Sequence, residues 1–459
     1  MQQCVIHRTI TVAPGRFAPG HLGELTQQVP FELVDAVLAQ TGTVQSRVRE
    51  LPARVVVYLL LAGCLFAELG YGQVWQRLVA GLAGLGLPSP TVGALTKARR
   101  RVGAKPLQAL FDLLRGPAAT TAWAGVRWCG LLVCAIDGTT LSVADTPANL
   151  ARFTKQPGNH GGSGYPLLRL LALVACGTRS LIDATFGPTS SGETTAARQL
   201  LPSLGPGMIV LLDRNFDNGQ LLNAIAATKA DLLVRLKANR KLPVLAPYPD
   251  GSWLSQLGAT QVRVIAAEIT IATSAGRRTG VYRLATTLLD HHRYPAVALV
   301  TLYHQRWEIE TTYLELKSSI LGGRVLRART PQGIDQEVYA LLACYQILRL
   351  AMTDATNTQP GTDPDRASFT IALHTARDQL IKAAGVLAAT TIDLVGTIGP
   401  HVLDNLLPDR RLRVSPRIVK RAISKYQARG PNINRTSYKA TVSIDILDQS
   451  TPLTTGPGP

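Results

Sequence analysis

Short apolar runs of strand length occupy residues 130–236, and this pattern constrains the fold more than any other feature of the chain. The segment LLVCAIDGTTLSVA predicts a strand, a glycine and another strand, and PLLRLLALVAC and SLIDATF predict two more strands joined by a turn at Gly177. A short helix in GETTAARQLLPSL, a buried strand in MIVLLDRNF, a helix in NGQLLNAIAAT and a strand in DLLVRLK follow. Several strands followed by alternating helix and strand predict an α/β fold, in which helices pack on a mixed sheet.

The rest of the chain predicts the domains that surround and interrupt this sheet. A length of 459 residues exceeds one compact core, so we expect roughly two to four domains. Helical spacing predicts a helical N-terminal domain at 1–125, ahead of the sheet pattern at 126–236. Period-two stretches predict a β-rich insertion at 237–294, and 295–352 would supply the closing helices. Residues 353–459 predict a basic, mainly helical C-terminal region that ends in a disordered tail.

The charge balance narrows the class of partner. A net charge of +18 and a pI near 10.0 favour a polyanion, nucleic acid before membrane, although plain solubility is the alternative. The longest charge-free apolar run, 55–67, is shorter than the roughly 20 residues of a membrane span, so we expect a core helix and no membrane. Six scattered cysteines without a CxxC pair suit buried thiols in a reducing cytosol, which predicts a cytoplasmic protein.

Two aspartates stand out by position. Asp137 ends the apolar run LLVCAI, and Asp213 ends MIVLL. A carboxylate at the carboxyl end of a strand faces the crevice where open sheets bind their ligands. The alternative is structural, since Asp137 precedes a glycine as in many turns and Asp213 is placed to cap the next helix. Glu193, in the short helix between them, is interpreted only as a feature of that helix's N-terminus.

A third carboxylate lies in the segment YHQRWEIETTYLELK at 303–317. At about 100° per residue, an α-helix would place four of its polar side chains in a stripe about 60° wide. These are Tyr303, Arg306, Glu310 and Lys317. Glu308 and Glu315 fall on the opposite side, which singles out Glu310 as the acid among bases. A surface stripe of ion pairs would give the same pattern.

Three carboxylates from two strands and one helix suit a hard divalent ion. Mg²⁺ takes oxygen ligands, Mn²⁺ is expected to substitute for it, and a pair of ions clamps the attacking and leaving oxygens of a phosphate ester. Surrounding Arg and Lys would neutralise the charge that builds on a phosphodiester. Asp137, Asp213 and Glu310 together therefore point to phosphoryl transfer on DNA or RNA.

These residues resemble a known family. The spacing Tyr303, Arg306, Glu310, Lys317 matches without a gap the Y-R-E-K signature of bacterial insertion-sequence transposases of the IS-four group. AIDGTTL and LLDRNF resemble that family's two aspartate motifs in the right order, and LPSPTVGALTKARRRVGAKPLQALFDLL resembles its N-terminal domain. The resemblance covers roughly residues 20–350 and more loosely the basic SPRIVKRAISKY segment.

The resemblance implies a ribonuclease H-like catalytic core interrupted by a β-rich insertion. Asp137, Asp213 and Glu310 would be the catalytic and metal-binding residues, expected to hold two Mg²⁺ ions. The implied substrates are double-stranded DNA with terminal inverted repeats and target DNA, and the implied assembly is a homodimer on DNA. Cleavage in the family generally passes through a hairpin, with an aromatic residue of the insertion stacked on a flipped base, and Tyr282 is the candidate here.

Several basic side chains are candidate DNA contacts. By carry-over from the family, Tyr303, Arg306 and Lys317 would contact phosphates at the transposon end. A further set comprises Lys97, Arg99, Arg100 and Arg101 in one cluster, and Lys237 and Arg240 beyond the strand DLLVR. The first cluster follows Ser89 and Pro90, a good helix start, and either binds phosphates or is a solvated helix end. The last two either line a DNA channel or lie on an ordinary surface.

The sequence thus predicts a cut-and-paste DNA transposase, cytoplasmic and associated with the nucleoid. A structure-selective nuclease that hydrolyses DNA without joining it is the alternative within the enzymes. A non-catalytic DNA-binding protein derived from a transposase is the alternative outside them. Retention of all three carboxylates argues against the last, because a pure binder gains nothing from buried anions facing phosphate.

Overall fold

The computed structural model describes residues 22–47, 49–79, 88–116, 118, 124–155, 164–383, 397–408 and 436–448. At 9–11, 391–393, 413–414, 418–419 and 427–428 it describes the backbone of short strands. The predicted disordered tail and most of the basic stretch between 409 and 435 lie outside these residues.

Five helices form the N-terminal part of the structure. They are α1 (Phe31–Gln40), α2 (Ala53–Leu65), α3 (Tyr71–Val79), α4 (Val92–Val102) and α5 (Lys105–Leu114). Every residue of α2 except Arg54 is buried, which confirms the predicted core helix. Helix α4 is capped by Thr91, whose Oγ1 accepts the Ala94 N–H at 3.1 Å, so it starts two residues later than Ser89 suggests. Within the described ranges no helix combines the length and hydrophobicity needed to cross a bilayer.

Five main strands of the central sheet lie in the described part of the region predicted for it. They are β1 (Leu131–Ser142), β2 (Leu167–Ala175), β3 (Leu181–Pro188), β4 (Met208–Leu212) and β5 (Asp231–Arg235). Their spatial order is β3-β2-β1-β4-β5, antiparallel from β3 to β1 and parallel from β1 to β5. Helix α6 (Gly219–Ala227) joins β4 to β5. The predicted break at Gly138 is wrong, because Gly138 stays in register opposite Leu171 and β1 is one strand.

The two faces of this sheet bury different apolar clusters. Val133 and Ala135 pack on the side of α2 and of the helices that follow the insertion. Leu132, Cys134 and Ile136 pack on the side of α6. Because side chains alternate along a strand, the next residue of β1, Asp137, belongs to the same face as Ala135.

The predicted β-rich insertion is present and extends the central sheet. Its strands are β6 (Trp253–Leu257), β7 (Thr260–Thr273) and β8 (Gly276–Thr286). Strand β8 pairs antiparallel with β5, with Leu284 opposite Arg235. The insertion therefore begins and ends beside the last parallel strand of the core.

The helices after the insertion begin where predicted but are not one regular helix. Pro295 precedes α7 (Ala296–Tyr303), a 3-10 turn (His304–Trp307), α8 (Glu308–Leu314) and a π-helical turn (Glu315–Ile320). Changes of hydrogen-bond register of this kind often mark functional sites. Further helices are α9 (Pro331–Asn357), α10 (Phe369–Ala383) and α11 (Ile398–Asp404).

The prediction of a mainly helical C-terminal region is wrong at residues 438–446. Strand β9 (Tyr438–Ile446) pairs antiparallel with β7, with Ile446 opposite Ala267. The segment YKATVSIDI alternates apolar and polar residues with period two, the pattern of a strand. Strand β9 provides hydrogen-bond partners for an edge of β7 that would otherwise be open.

Short elements complete the description. The helical turns are Gly23–Gln27, Ala124–Val126, Pro147–Leu150, Glu193–Ala197, Arg198–Ser203, Arg214–Phe216 and Pro364–Arg366. The short strands are Thr9–Thr11, Arg127–Trp128, Ala246–Pro247, Thr391–Asp393, Arg413–Val414, Ile418–Val419 and Gln427–Ala428. How all these elements divide into domains stays a prediction.

A buried arginine ties the insertion to the start of α7. Arg263 of β7 donates from Nε to Ser252 Oγ at 2.7 Å and from Nη1 to the Tyr294 carbonyl at 2.6 Å, and it pairs with Asp250. Asp250 Oδ2 also accepts the Ala296 N–H, in the first turn of α7, at 2.9 Å. Arg263 thus links both ends of the insertion to the segment that leads to Tyr303.

We expect Arg263→Met to lower the free energy of unfolding by about 3–5 kcal/mol, because it leaves the partners of a buried charge unpaired. Urea denaturation measures the change. Arg278→Met, on the exposed end of β8, is the matched control and should stay within about 0.5 kcal/mol of the unsubstituted protein. Equal stability of the two variants would show that the buried contacts contribute nothing.

Candidate active site

Two of the predicted carboxylates lie where the pairing of neighbouring parallel strands ends. The register of β1 and β4 pairs Ile136 with Leu212, so Asp137, in the middle of β1, and Asp213, directly after β4, occupy the next position along each chain. Adjacent strands are about 4.8 Å apart, which brings the two backbones close. The expectation that Asp137 ends its strand is wrong, and so is the alternative of a turn at Asp137, because β1 continues to Ser142, whereas the capping alternative for Asp213 occurs. Asp137 Oδ1 accepts the N–H of Gly138 at 2.7 Å, and Asp213 Oδ1 accepts that of Asn215 at 2.8 Å and caps the turn that follows.

Glu310 approaches Asp137 from the helical segment, through a shared arginine. Arg306 Nη1 lies 3.5 Å from Asp137 Oδ2, and its Nη2 lies 3.4 Å from Glu310 Oε1. The Arg306 side chain is only 10% exposed, whereas those of Asp137 and Glu310 are 20% and 37% exposed. Among the described residues, Arg306 Nε has no hydrogen-bond partner although it is buried. The guanidinium therefore lies between two of the three acids without saturating its own donors.

The electrostatics connect all three acids. The pKa of Asp137 is raised to about 7, mainly by burial, and the negative charges of Asp213 and Glu310 contribute to this rise. The Gly138 N–H and the Arg306 guanidinium oppose this rise in the pKa but do not cancel it. The site holds more negative charge than its own cation neutralises, which is the condition under which carboxylates bind another cation.

The three acids supply oxygen donors of the kind that Mg²⁺ prefers. In the part of the chain that the structure describes, however, no three His, Cys, Asp or Glu side chains converge closely enough to coordinate one ion. The cation that Asp137 and Glu310 share is Arg306. The residue types and the excess negative charge fit a divalent ion. The side chains of Asp137 and Glu310 instead contact the Arg306 guanidinium.

The other signature residues fix the helical segment to the sheet. The Tyr303 hydroxyl donates to the Leu212 carbonyl at 3.1 Å, and its side chain is buried. Tyr303 therefore packs against the end of β4 instead of pointing to solvent, which does not favour the predicted phosphate contact. Lys317 Nζ donates to Thr139 Oγ1 at 3.1 Å, two residues along β1 from Asp137.

Sequence reasoning missed Tyr313. Its hydroxyl donates to the Asp137 carbonyl at 2.6 Å and accepts the Ala172 N–H at 3.1 Å, so it holds β1 and β2 beneath the site. The signal was present, because a helical projection places Tyr313 about 20° from Arg306. Glu193 was also underestimated, since its Oε1 lies 3.0 Å from where a Cβ on Gly138 would be. A larger residue at 138 would require the end of the Glu193 side chain to move by a few tenths of an ångström.

Tyr282 lies near the site but is already covered on one face. The Arg235 guanidinium stacks on its ring at 3.7 Å from the centroid. Tyr282 packs against the same apolar cluster as the residues around Asp137. Both Tyr282 and Asp213 contribute to the electrostatic environment of Tyr303, which places them at the same end of the sheet. Its role in base stacking stays a prediction.

In the predicted basic clusters Arg99 and Arg240 are half-buried, whereas Lys97, Arg100, Arg101 and Lys237 are exposed. Arg99 stacks on Tyr71 at 3.9 Å, and Arg101 Nη2 donates to the Leu51 carbonyl at 3.3 Å. Lys97 and Arg100 are exposed on α4. In the second cluster, Lys237 is exposed and Arg240 is bound to Asp217. The Arg240 guanidinium is already held by a carboxylate, and its place in a DNA channel stays a prediction.

The two glutamates on the other side of the helical segment are buried in a charge network. Arg179, only 3% exposed, donates from Nε to Glu308 Oε2 at 2.8 Å and from Nη1 to Glu315 Oε1 at 3.4 Å. Its Nη2 pairs with Asp365. Arg179 lies in the turn between β2 and β3 with a φ of 55°, which non-glycine residues rarely adopt. This network holds the segment on both sides of Glu310.

A second arginine completes the network from α9. Arg349 is buried, pairs with Glu315 and donates from Nε to the Tyr345 hydroxyl at 3.0 Å. That hydroxyl lies 3.0 Å from Glu315 Oε2. Glu315 is the first residue of the π-helical turn, so the irregular turn coincides with the place where buried charge fixes the chain.

We expect Arg179→Met to lower the free energy of unfolding by about 3–5 kcal/mol, because it leaves buried carboxylates without their cation. The matched control is Arg152→Met, which breaks the more exposed pair with Asp335 and should cost about 0–1 kcal/mol. Chemical denaturation compares them. Similar losses for the two variants would mean that the buried network is no stronger than a surface pair.

The raised pKa of Asp137 predicts a pH dependence in the absence of divalent metal. Between the ordinary value of 3.8 and about 7, the folded protein keeps a proton that the unfolded chain releases, so stability falls as the pH rises. Asp137→Asn should remove a slope of up to about 1.4 kcal/mol per pH unit. Urea denaturation in EDTA from pH 4 to 8 measures it, with the exposed Asp404→Asn as control. An unchanged slope in Asp137→Asn would contradict the burial of this carboxyl.

Two known protein families match separate parts of the chain. Residues 19–112 match the family of insertion element 4 transposase N-terminal domains, and residues 128–347 match the transposase DDE domain family. The transposase InsG for insertion sequence element IS4, from Escherichia coli K12, is 28% identical over 410 residues, which are 86% of this chain and 91% of InsG.

A solved structure is also similar. The piggyBac transposase in a synaptic complex with hairpin DNA, a cryo-EM structure, matches with a TM-score of 0.43 and 11% identity over 85% of this chain and 84% of that one. The sequence matches identify the family by themselves. With an insertion element 4 N-terminal domain followed by a DDE domain, the chain belongs to the DDE transposases, enzymes that cleave DNA and transfer its strands.

Proposed function

We propose that this transposase excises an insertion sequence by cutting its ends and joins them to target DNA, with Asp137, Asp213 and Glu310 as the catalytic residues. The observation that carries the proposal is the arrangement around Arg306. Asp137 and Glu310 lie on either side of its guanidinium, and Asp213 follows the adjacent strand. A cut-and-paste pathway through a hairpin intermediate is the form of the reaction we expect.

The catalytic core is inferred to be ribonuclease H-like. Support comes from the strand order, in which three antiparallel strands are followed by two parallel ones on the other side of the first. The insertion between β5 and α7 and the placement of the third acid on a helix suit this interpretation. The division proposed from the sequence, with the core at 126–236 and 295–352 around the insertion at 237–294, fits these element bounds.

DDE transposases generally use divalent metal ions. Asp137, Asp213 and Glu310 would hold Mg²⁺, with Mn²⁺ as a substitute, and we propose two ions. Such ions neutralise charge on a phosphodiester and lower the pKa of a bound water. Arg306 would lose its contacts to Asp137 and Glu310 when these two acids bind other partners. Its buried Nε–H makes no hydrogen bond within the described residues and can donate one. We propose that Arg306 then binds a phosphate of the transposon end, together with Lys317.

DNA is the proposed partner along the rest of this surface. Lys97 and Arg100, exposed on α4, suit contacts to the phosphates of the inverted repeat. Tyr282 with Arg235 stacked on it would supply a platform for a flipped base, since bases stack on both aromatic rings and guanidinium planes. A homodimer on DNA is proposed because two transposon ends must be held together before joining.

We expect Glu310→Gln to keep DNA binding and to lower cleavage by about a hundredfold or more, because several kcal/mol of transition-state stabilisation depends on the metal ions. Incubation with Mg²⁺ and the DNA flanking the coding region, with and without EDTA, measures both properties. The exposed Glu32→Gln is the matched control and should leave cleavage unchanged.

The products of the unsubstituted protein decide between the remaining functions. Joined or hairpin DNA is the expected result, whereas nicks alone would favour a nuclease without strand transfer. Loss of both binding and cleavage in Glu310→Gln would point to a structural role for Glu310. Full cleavage in this variant would remove it from the active site.

A further inference from the structure

A basic loop lies at the same edge of the sheet as the catalytic aspartates. Residues 237–241, KANRK, follow the carboxyl end of β5 and contain three cations and no acid. Strand β5 runs parallel to β4, and the turn capped by Asp213 lies against it. Because the carboxyl ends of parallel strands meet at one edge, the loop lies beside the active site.

A buried aspartate holds this loop from below. Asp217 follows the turn that Asp213 caps, and its side chain is completely buried. Its Oδ2 accepts the Lys237 main-chain N–H at 2.8 Å, and its Oδ1 accepts Arg240 Nε at 2.9 Å and Nη2 at 2.6 Å. The Arg240 guanidinium is thus used to shape the loop.

An arginine of the insertion fixes the loop from another direction. Arg283 of β8 donates from Nη2 to the main-chain carbonyls of Lys237 at 2.9 Å, Ala238 at 3.3 Å and Arg240 at 2.7 Å. These contacts turn the carbonyl oxygens inward, toward a cation. The negative ends of the backbone dipoles are therefore removed from the outer surface of the loop.

The outer surface of the loop consequently presents mainly cationic and amide groups. Lys237, Asn239 and Lys241 are exposed, and with Asp217 and Arg240 they line an open cavity of about 280 Å³. Every lining residue is polar or charged, and the one carboxylate among them, Asp217, is bound by Arg240. Two arginines and a buried carboxylate are thus used to hold a short exposed loop in one conformation. Pre-organised charges bind a phosphate chain without the entropy cost of ordering the loop.

We propose that this loop binds the sugar–phosphate backbone of the DNA strand next to the scissile phosphate, through Lys237 and Lys241. The inference rests on the proposed function and adds a binding subsite to it. Binding is independent of sequence, because the loop presents ammonium groups to phosphates and no extended side chain to base edges. A purely structural loop, which only closes the junction of core and insertion, would not need its lysines.

The test compares Lys237→Gln and Lys241→Gln, alone and together, with Lys229→Gln. Lys229 is exposed just before the amino end of β5, so Lys229→Gln removes an equal charge far from the active site. Affinity for end DNA is measured over a series of KCl concentrations. Each phosphate contact contributes about 0.9 to the slope of log K against log salt, so the double variant should lose about 1.8 and Lys229→Gln nothing. End DNA and unrelated DNA should lose the same affinity.

Arg283→Met tests the support of the loop while both lysines are kept. It should weaken DNA binding by more than Lys229→Gln, which removes the same charge, while circular dichroism shows the protein folded. Unchanged slope and affinity in the double lysine variant would overturn the subsite, even where the unsubstituted protein cleaves its ends and the proposed function stands. An equal loss in Lys229→Gln would also overturn it, since any surface cation would then serve. Failure of the unsubstituted protein to bind or cleave end DNA would remove the proposed function and the subsite with it.

Discussion

The position of Glu310 depends on buried charge behind it. A helix that carries a catalytic acid toward two others is pushed away by like-charge repulsion, so something must hold it in place. Glu308 and Glu315, on the opposite side from Glu310, are bound by Arg179 and Arg349 inside the protein. Removing one partner of such a network is far more costly than keeping it, which makes the network a strong constraint on geometry. Glu308 and Glu315 thereby determine where Glu310, the proposed catalytic acid, can lie.

The contacts on the two sides of the helical segment explain its irregular course. A regular helix from Ala296 to Ile320 would keep one hydrogen-bond register, but the structure changes register at His304, at Glu308 and again at Glu315. The last change occurs where Arg349 and Arg179 meet the chain. One side of the segment is fitted to the network and the other to β1, and the backbone adjusts between them.

Much of the core could be predicted from sequence because local patterns determine it. Apolar runs gave the central strands, and the spacing in the segment after Pro295 separated Glu310 from Glu308 and Glu315, as the buried network bears out. Other features depend on contacts between distant residues and left no local signal. Nothing near Arg179 in sequence indicates that it meets Glu308, and nothing near Arg240 indicates Asp217. The helical projection could have indicated Tyr313. Its hydrogen bond to the Asp137 carbonyl could not be predicted without knowing that the helical segment packs on β1.

The pairing of β9 with β7 has a consequence for how the chain is made. Strand β7 emerges from the ribosome long before β9. The strands next to Asp137 and Asp213 are also made well before β9 can pair with β7. Until residues 438–446 arrive, β7 offers a row of free amide and carbonyl groups to any other chain nearby. A prematurely terminated product would carry the three acids and an open β edge, and such products would tend to associate with one another. The synthesis of residues 438–446 is therefore the step that covers this edge of the sheet.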